Sequence, residues 1–234
     1  AAAFQSKLQN KDAVLLILSA DHVIGDKEAF HQSINIAYEQ AIKGKLVTFG
    51  IVPTDANTGY GYIETANKDS SSSVRNVERF IEKPNQALAD SFVNLGNYFW
   101  NSGMFLFEVN TLISELKLYC NDVLETTTLA VNYAQKDLDF IRLDKKAFEL
   151  APNISIDYAL MEKSSNVVVV PTNAKWNDIG SWLALYDIGK KDIEGNVTTG
   201  DVVLMDSTNC YINANHHLVV AVGVNNLIVV DTSD

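Results

Sequence analysis

The chain has 234 residues, 47% apolar and 20% charged, enough for one large domain, or a domain with a small appendage, around a real core. A net charge of −11, with arginine only at Arg75, Arg79 and Arg142, argues against a nucleic-acid partner, because phosphate backbones are held by clustered Lys and Arg. Cys120 and Cys210 form no CxxC pattern, no apolar run nears the ~18 residues of a membrane helix, and no signal peptide is visible, so a soluble cytoplasmic protein, away from membranes, is expected.

The chain opens on "AAAFQSKLQNKD", helical in composition and without a capping residue ahead of it. It closes on "LIVVDTSD", directly after a strand-like run. Both ends read as cuts, and a fragment is expected. From Ala13 to Leu18 every residue is apolar, the pattern of a parallel strand covered on both faces. Asp26 then caps a helix whose apolar stripe is Phe30, Ile34, Ala37, Tyr38 and Ala41, stopped by Gly44. "KLVTFGIVP", Lys45 to Pro53, is the next strand. Strand, helix, strand predicts a βαβ crossover in a parallel or mixed sheet with helices outside.

After residue 54 the texture changes to turn-rich and alternating sequence, then a polar tip, Asn67 to Ser73, then the strand "VRNVERFIEKP". This predicts an antiparallel excursion with the serine tip as its hairpin end. "NYFWNSGMFLFEV", Asn97 to Val109, is a strand interrupted by Asn-Ser-Gly. Helices are expected at 110–119, 121–136 and 157–163, then the strand "NVVVVPT", then "WNDIGSWLALYDI" as a loop entering a short helix. Two parts are expected: 1–195, and a β-only element over 196–234 whose exposed strands need cover, such as a second copy in a homo-oligomer.

Five stretches can carry chemistry. Asp21 and His22 stand at a strand end, where open α/β sheets bind ligands. Asp21 suits a turn or cap, or a hard cation such as Mg²⁺; His22 reads as a structural histidine. Glu82 and Lys83 end a strand ahead of Pro84, either as an exposed ion pair or as a hydroxyl acceptor beside a phosphate-neutralising cation. Gly61, in "GYGYIE", permits close backbone approach or simply turns. Asn101, in "WNSGMF", can read a sugar hydroxyl or mark a bulge. Asp178, in "WNDIGSW", is an N-cap or a second carboxylate for the metal.

In this order and spacing, "LSADHVI", "TGYGYI", "VERFIEKP", "WNSGMF", "SIDYALMEKS", "WNDIGSW" and "GNVTTGDV" resemble the sugar-1-phosphate nucleotidyltransferases, and among them the bacterial guanylyl-transferring branch, over nearly the whole chain. The resemblance implies a Rossmann-like α/β nucleotide-diphospho-sugar transferase fold, a mixed sheet flanked by helices, with a β-helix-like tail. It implies GTP and mannose 1-phosphate as substrates, GDP-mannose and pyrophosphate as products, and Mg²⁺ as cofactor. It gives Asp21 and Asp178 the metal, Lys83 the sugar phosphate, and Glu82, Asn101 and the Gly61 backbone the sugar. UTP or dTTP with glucose 1-phosphate, and a non-catalytic sugar-phosphate-binding subunit, are the alternatives. The family's Gly-rich triphosphate loop has no counterpart in this sequence, so these residues alone are expected to show negligible turnover.

Overall fold

The computed structural model describes residues 1–66 and 72–233; residues 67–71 of the expected polar tip lie outside them. By contacts the chain forms two units: Ala1–Ala20 with Ile24–Trp176, and Asp21–Val23 with Asn177–Asp234. In chain order the elements of the first part are α1 (Ala2–Gln9), β1 (Val14–Ile17), β2 (Val23–Ile24), α2 (Lys27–Ala41), β3 (Leu46–Ile51), β4 (Tyr62–Thr65) and β5 (Arg75–Ile81). There follow α3 (Gln86–Leu95), β6 (Tyr98–Glu108), α4 (Val109–Tyr119), α5 (Asn121–Asn132), β7 (Gln135–Asp137), β8 (Phe140–Arg142) and α6 (Lys145–Glu149). A π-turn (Asp157–Met161), β9 (Val167–Thr172), β10 (Trp176–Asn177), α7 (Trp182–Ile188), β11 (Val197–Met205), β12 (Tyr211–Val222) and β13 (Ile228–Asp231) complete the chain.

The first unit is built on a six-stranded sheet in the order β1-β6-β3-β9-β5-β4. β1 and β3 both pair antiparallel with β6, so they run parallel to each other with β6 between them, and β3 pairs parallel with β9. The sheet is therefore mixed, as expected. Side chains alternate across it: Val167 and Val169 join one cluster with Leu46, Phe105 and Phe107, while Val168 and Val170 join another with Val47, Phe49 and Leu106. Leu112 of α4 and Leu160 and Met161 of the π-turn cover the first face; Phe30, Ala37 and Ala41 of α2 cover the second.

The apolar run 13–18 is covered on both faces, Ala13 and Leu15 packing against one cluster and Val14 and Leu16 against the other, but it is not a central parallel strand. β1 lies at the end of the strand order, its one partner β6 is antiparallel, and Ile17 and Leu18 are exposed. The expected stripe of α2 is also amended. Asp26 caps it, accepting from Ala29 N at 3.0 Å, but Tyr38 faces out, and Ser33 is buried instead, donating to Thr172 Oγ1 at 2.8 Å. The helix expected to reach residue 136 stops at Asn132, and β7 pairs with β8 as a hairpin through Leu138, whose φ is 54°.

In the second unit β11, β12 and β13 pair in parallel, with Val197 opposite Tyr211 and Tyr211 opposite Ile228. Successive turns of chain stack like a coil around buried Cys210, Ile212 and Ala221. β11 and β12 are longer than the short strands expected, while β13 has four residues. The bends between them use left-handed residues, Asp206, Asn209 and Asn226 among them. At Gly200, φ is +86° and a Cβ would lie 1.8 Å from the Ala214 carbonyl oxygen, so only glycine fits.

Candidate functional site

Glu82 leaves the end of β5, and Lys83 follows with φ 45°, a left-handed conformation that costs a lysine roughly 1–2 kcal/mol. That turn leaves Lys83 Nζ 3.8 Å from Glu82 Oε1. Gly61 stands just ahead of β4, and a Cβ there would come within 2.5 Å of Glu82 Oε2. Its missing side chain is what lets the carboxylate lie against backbone. The Gly61 carbonyl accepts from Asn101 N at 2.8 Å.

Asn101 sits where β6 bulges. Thr48 pairs with Phe105 and Gly50 with Asn101, so Phe49 alone faces residues 102–104. Gly103 takes φ 69° there, and the Ser102 hydroxyl donates to the Phe49 carbonyl at 2.7 Å. The bulge aims the Asn101 amide at the π-turn. Its Nδ2 donates to Asp157 Oδ1 at 3.0 Å; its Oδ1 accepts from Thr48 Oγ1 at 3.2 Å and Gly103 N at 3.3 Å. Tyr60 packs beside the same strand, its ring centroid 4.9 Å from Trp100 and 5.6 Å from Trp176.

Electrostatics mark this as a crowded acidic cluster. Burial pushes the Glu82 carboxyl up, the Asp157 charge adds to it, and Lys83 opposes. Burial also raises Asp157, against the hydrogen bond from Asn101. Glu162 is raised by burial, then by Asp157 and Glu82. Groups so placed favour a ligand with hydroxyl donors, which replace the water lost to each carboxylate.

Four expected residues, Gly61, Glu82, Lys83 and Asn101, thus meet in one place within the first unit. Asp157, Thr48 and Glu162 join them, although sequence reasoning does not single them out. Asp157 has one available signal: it is the only charged residue between Leu150 and Glu162.

Asp21 and Asp178 belong to the second unit, Asp21 exposed and Asp178 half-buried. Asp178 is not the cap of the following helix. Ser181 caps α7, accepting from Ala184 N at 3.1 Å, while Asp178 Oδ1 accepts from Gly180 N at 3.2 Å across a turn. Between them Ile179 has φ 52°, a strained setting for a β-branched residue and of the kind that clusters at functional loops. His22 is half-buried. Among the described residues no group of three or more His, Cys, Asp or Glu is placed to hold a metal, and no helix is long and apolar enough to cross a membrane.

A helix-covered mixed sheet and a parallel β coil are the two parts of a known class of transferase. Residues 1–195 match the nucleotidyl transferase family, and the chain belongs to that family. Residues 200–234 match the MannoseP isomerase/GMP-like beta-helix domain. Within the family the chain is similar to the mannose-1-phosphate guanylyltransferase of Salmonella montevideo, at 50% identity over 97% of this chain and 49% of that protein. It is similar to the Klebsiella pneumoniae protein of the same name, at 45% identity over 100% of this chain and 50% of that protein. The chain thus spans about half the length of the curated relatives it matches. Among solved structures, one described as mannose-1-phosphate geranyltransferase from Thermus thermophilus is similar with a TM-score of 0.82. It is 31% identical, covering 98% of this chain and 66% of that one.

Proposed function

We propose that this chain belongs to an enzyme that transfers a guanylyl group from GTP to mannose 1-phosphate, giving GDP-mannose and pyrophosphate in the cytoplasm. The observation that carries this reading is the convergence of Gly61, Glu82, Lys83 and Asn101 on one cluster, in a chain 45–50% identical to proteins named for that activity. Residues 1–195 form the catalytic domain in this reading and 196–234 the β-rich element.

The roles follow from chemistry. A sugar 1-phosphate carries an anionic, nucleophilic oxygen at neutral pH, so no side chain has to remove a proton. What the protein contributes is in-line positioning and neutralisation of charge. Lys83, a compact point charge, holds the sugar phosphate. Glu82 accepts hydrogen bonds from sugar hydroxyls, Asn101 donates one, and the Gly61 backbone lies against the ring.

Asp21 and Asp178 offer carboxylate oxygens, the donor type a hard cation takes. Two carboxylates suit Mg²⁺, which completes its shell with water and phosphate. A cation bound there supplies positive charge to phosphate oxygens. Asp178 is pre-positioned for that role by its bond to Gly180 N.

The test is pyrophosphate release by the full-length protein with GTP, UTP or dTTP, each paired with mannose 1-phosphate or glucose 1-phosphate. The expected result is a kcat/KM for GTP with mannose 1-phosphate at least about 100-fold above any other pair, well within the roughly 10⁴-fold that a hydrogen-bonding site can reach. Preference for UTP or dTTP with glucose 1-phosphate would instead indicate a sister activity, and no turnover with any pair a binding subunit.

A further inference from the structure

We infer that Asp157 is a positioning residue that sets which way the Asn101 amide faces, and through it which sugar phosphate the cluster accepts. This rests on the sugar-side reading proposed above. A primary amide has nearly the same shape either way round, so packing alone cannot orient it; only its hydrogen-bond partners can. Thr48 does not decide the matter, because a hydroxyl can donate or accept. Gly103 N only donates, and it faces the Asn101 oxygen at 3.3 Å. An ionised carboxylate only accepts, and Asp157 faces the nitrogen at 3.0 Å. Turning the amide over would set oxygen against carboxylate and N–H against N–H. Asp157 and Gly103 therefore hold one orientation between them.

That orientation leaves a defined remainder. The Asn101 oxygen accepts from Gly103 N and shares the single Thr48 hydroxyl hydrogen with the Met104 carbonyl, which lies 3.3 Å from Thr48 Oγ1, and one N–H is spent on Asp157. As a donor, Asn101 still offers a single N–H of fixed direction, in the same cluster as the Glu82 carboxylate. The arrangement reads one acceptor lone pair next to hydroxyl donors, which separates sugars differing in the direction of one hydroxyl.

The support beneath Asp157 is rigid. It begins the π-turn closed by Glu162 N donating to its carbonyl at 2.9 Å, and the same turn buries Ala159, Leu160 and Met161 in the core. The burial that raises its carboxyl also makes its one hydrogen bond to Asn101 count for more than it would in water.

The experiment compares this chain with its Asp157→Ala and Asp157→Asn variants. Proton exchange of the Asn101 side-chain amide is followed by NMR without ligand, and binding of mannose 1-phosphate and glucose 1-phosphate by calorimetry. Asn at 157 still presents an oxygen to Asn101, so D157N is the rescue. D157A is expected to speed exchange of the Asn101 amide and weaken mannose 1-phosphate binding about tenfold, the worth of one well-made hydrogen bond. It should also bring the two sugar phosphates within about threefold of each other; D157N should keep slow exchange and most of the discrimination.

Unchanged amide exchange in D157A, or D157N losing as much discrimination as D157A, overturns the assignment. If the unaltered chain binds neither sugar phosphate, the sugar-side reading itself fails. Binding that discriminates equally well in all three proteins counts against Asp157 alone.

Discussion

The absent side chain of Gly61 and the carboxylate of Glu82 occupy the same space: a Cβ at 61 would stand 2.5 Å from Glu82 Oε2. The obstructing atom is the far end of a flexible side chain, so an alanine can be accommodated by swinging Glu82 away. Gly61→Ala should therefore leave the melting temperature within a few degrees of the parent, while mannose 1-phosphate affinity falls about tenfold, as one charge-assisted hydrogen bond is lost. Calorimetry beside a thermal melt checks this. A variant that binds as tightly as the parent would show that Glu82 does not need that position.

Lys83 poses the opposite trade. Its left-handed backbone is strained, and its side chain is exposed, 3.8 Å from the half-buried Glu82. Lys83→Gly relieves the strain, offset by the greater freedom of glycine in the unfolded chain. Stability should hold or rise by less than about 1 kcal/mol, while binding of mannose 1-phosphate drops more than tenfold. Chemical denaturation and binding should thus move in different directions. A clear loss of stability would contradict the account of strain.

For the carboxylates of the second unit, Asp21→Ala or Asp178→Ala in the full-length protein should abolish metal-dependent turnover and leave the circular dichroism spectrum intact. Rescue of either variant by the parent's metal concentration, with full activity, would refute their proposed role.

Gly200→Ala sets a Cβ 1.8 Å from a backbone oxygen at φ +86°. Backbone cannot step aside as a side chain can. The variant should lose at least about 3 kcal/mol in urea unfolding of the second unit, the scale of an overpacked core with added backbone strain. A milder loss would mean that the coil can shift its turns.

Acid response should differ in sign between two places. Asp231 accepts from His216 N and His217 N, each at 2.8 Å, and faces His217 Nδ1 at 2.9 Å. The His217 bond leads in lowering its carboxyl from 3.8 to about 2. Its stabilising contribution is therefore complete above 3.8 and lost as pH falls through about 2. Glu82 and Asp157 are raised, so their protonated forms favour the fold, and that contribution is lost as pH climbs through their raised values. Carbon NMR titration of the three carboxyls checks both signs, and His217→Ala should move the Asp231 midpoint upward.

Much of the architecture is legible in the residues, because it rests on local signals. Asp26 announces α2, and the unbroken run 167–170 announces a strand covered on both faces. The run 13–18 carries the same message and lies at the sheet's end, since an apolar run does not say how many neighbours a strand has. Asn85 and Gly96 mark the two ends of α3, an element absent from the expectations although both caps are in view. The overlong helix after residue 121 has another origin: no Gly or Pro stands between Asn132 and Arg142 to stop it. At the site, spacing alone cannot bring Thr48, Gly61, Glu82, Asn101 and Asp157 together. Their meeting depends on a sheet order that interleaves strands far apart in sequence, and only family resemblance points to the part of it that is expected.

The wide turn that carries Asp157 contains a count as well as a shape. Leu160 and Met161 are locked into the core three and four residues further on. Deleting Tyr158 or Ala159, the two residues between, would restore an ordinary helical ladder and swing the carboxylate about 100° around the axis, away from Asn101, with Asp157 and Asn101 themselves unaltered. The sugar selection proposed for this cluster would thereby be exposed to insertion and deletion: changing the number of residues at that turn would reset the site in a way that no single replacement along it can imitate.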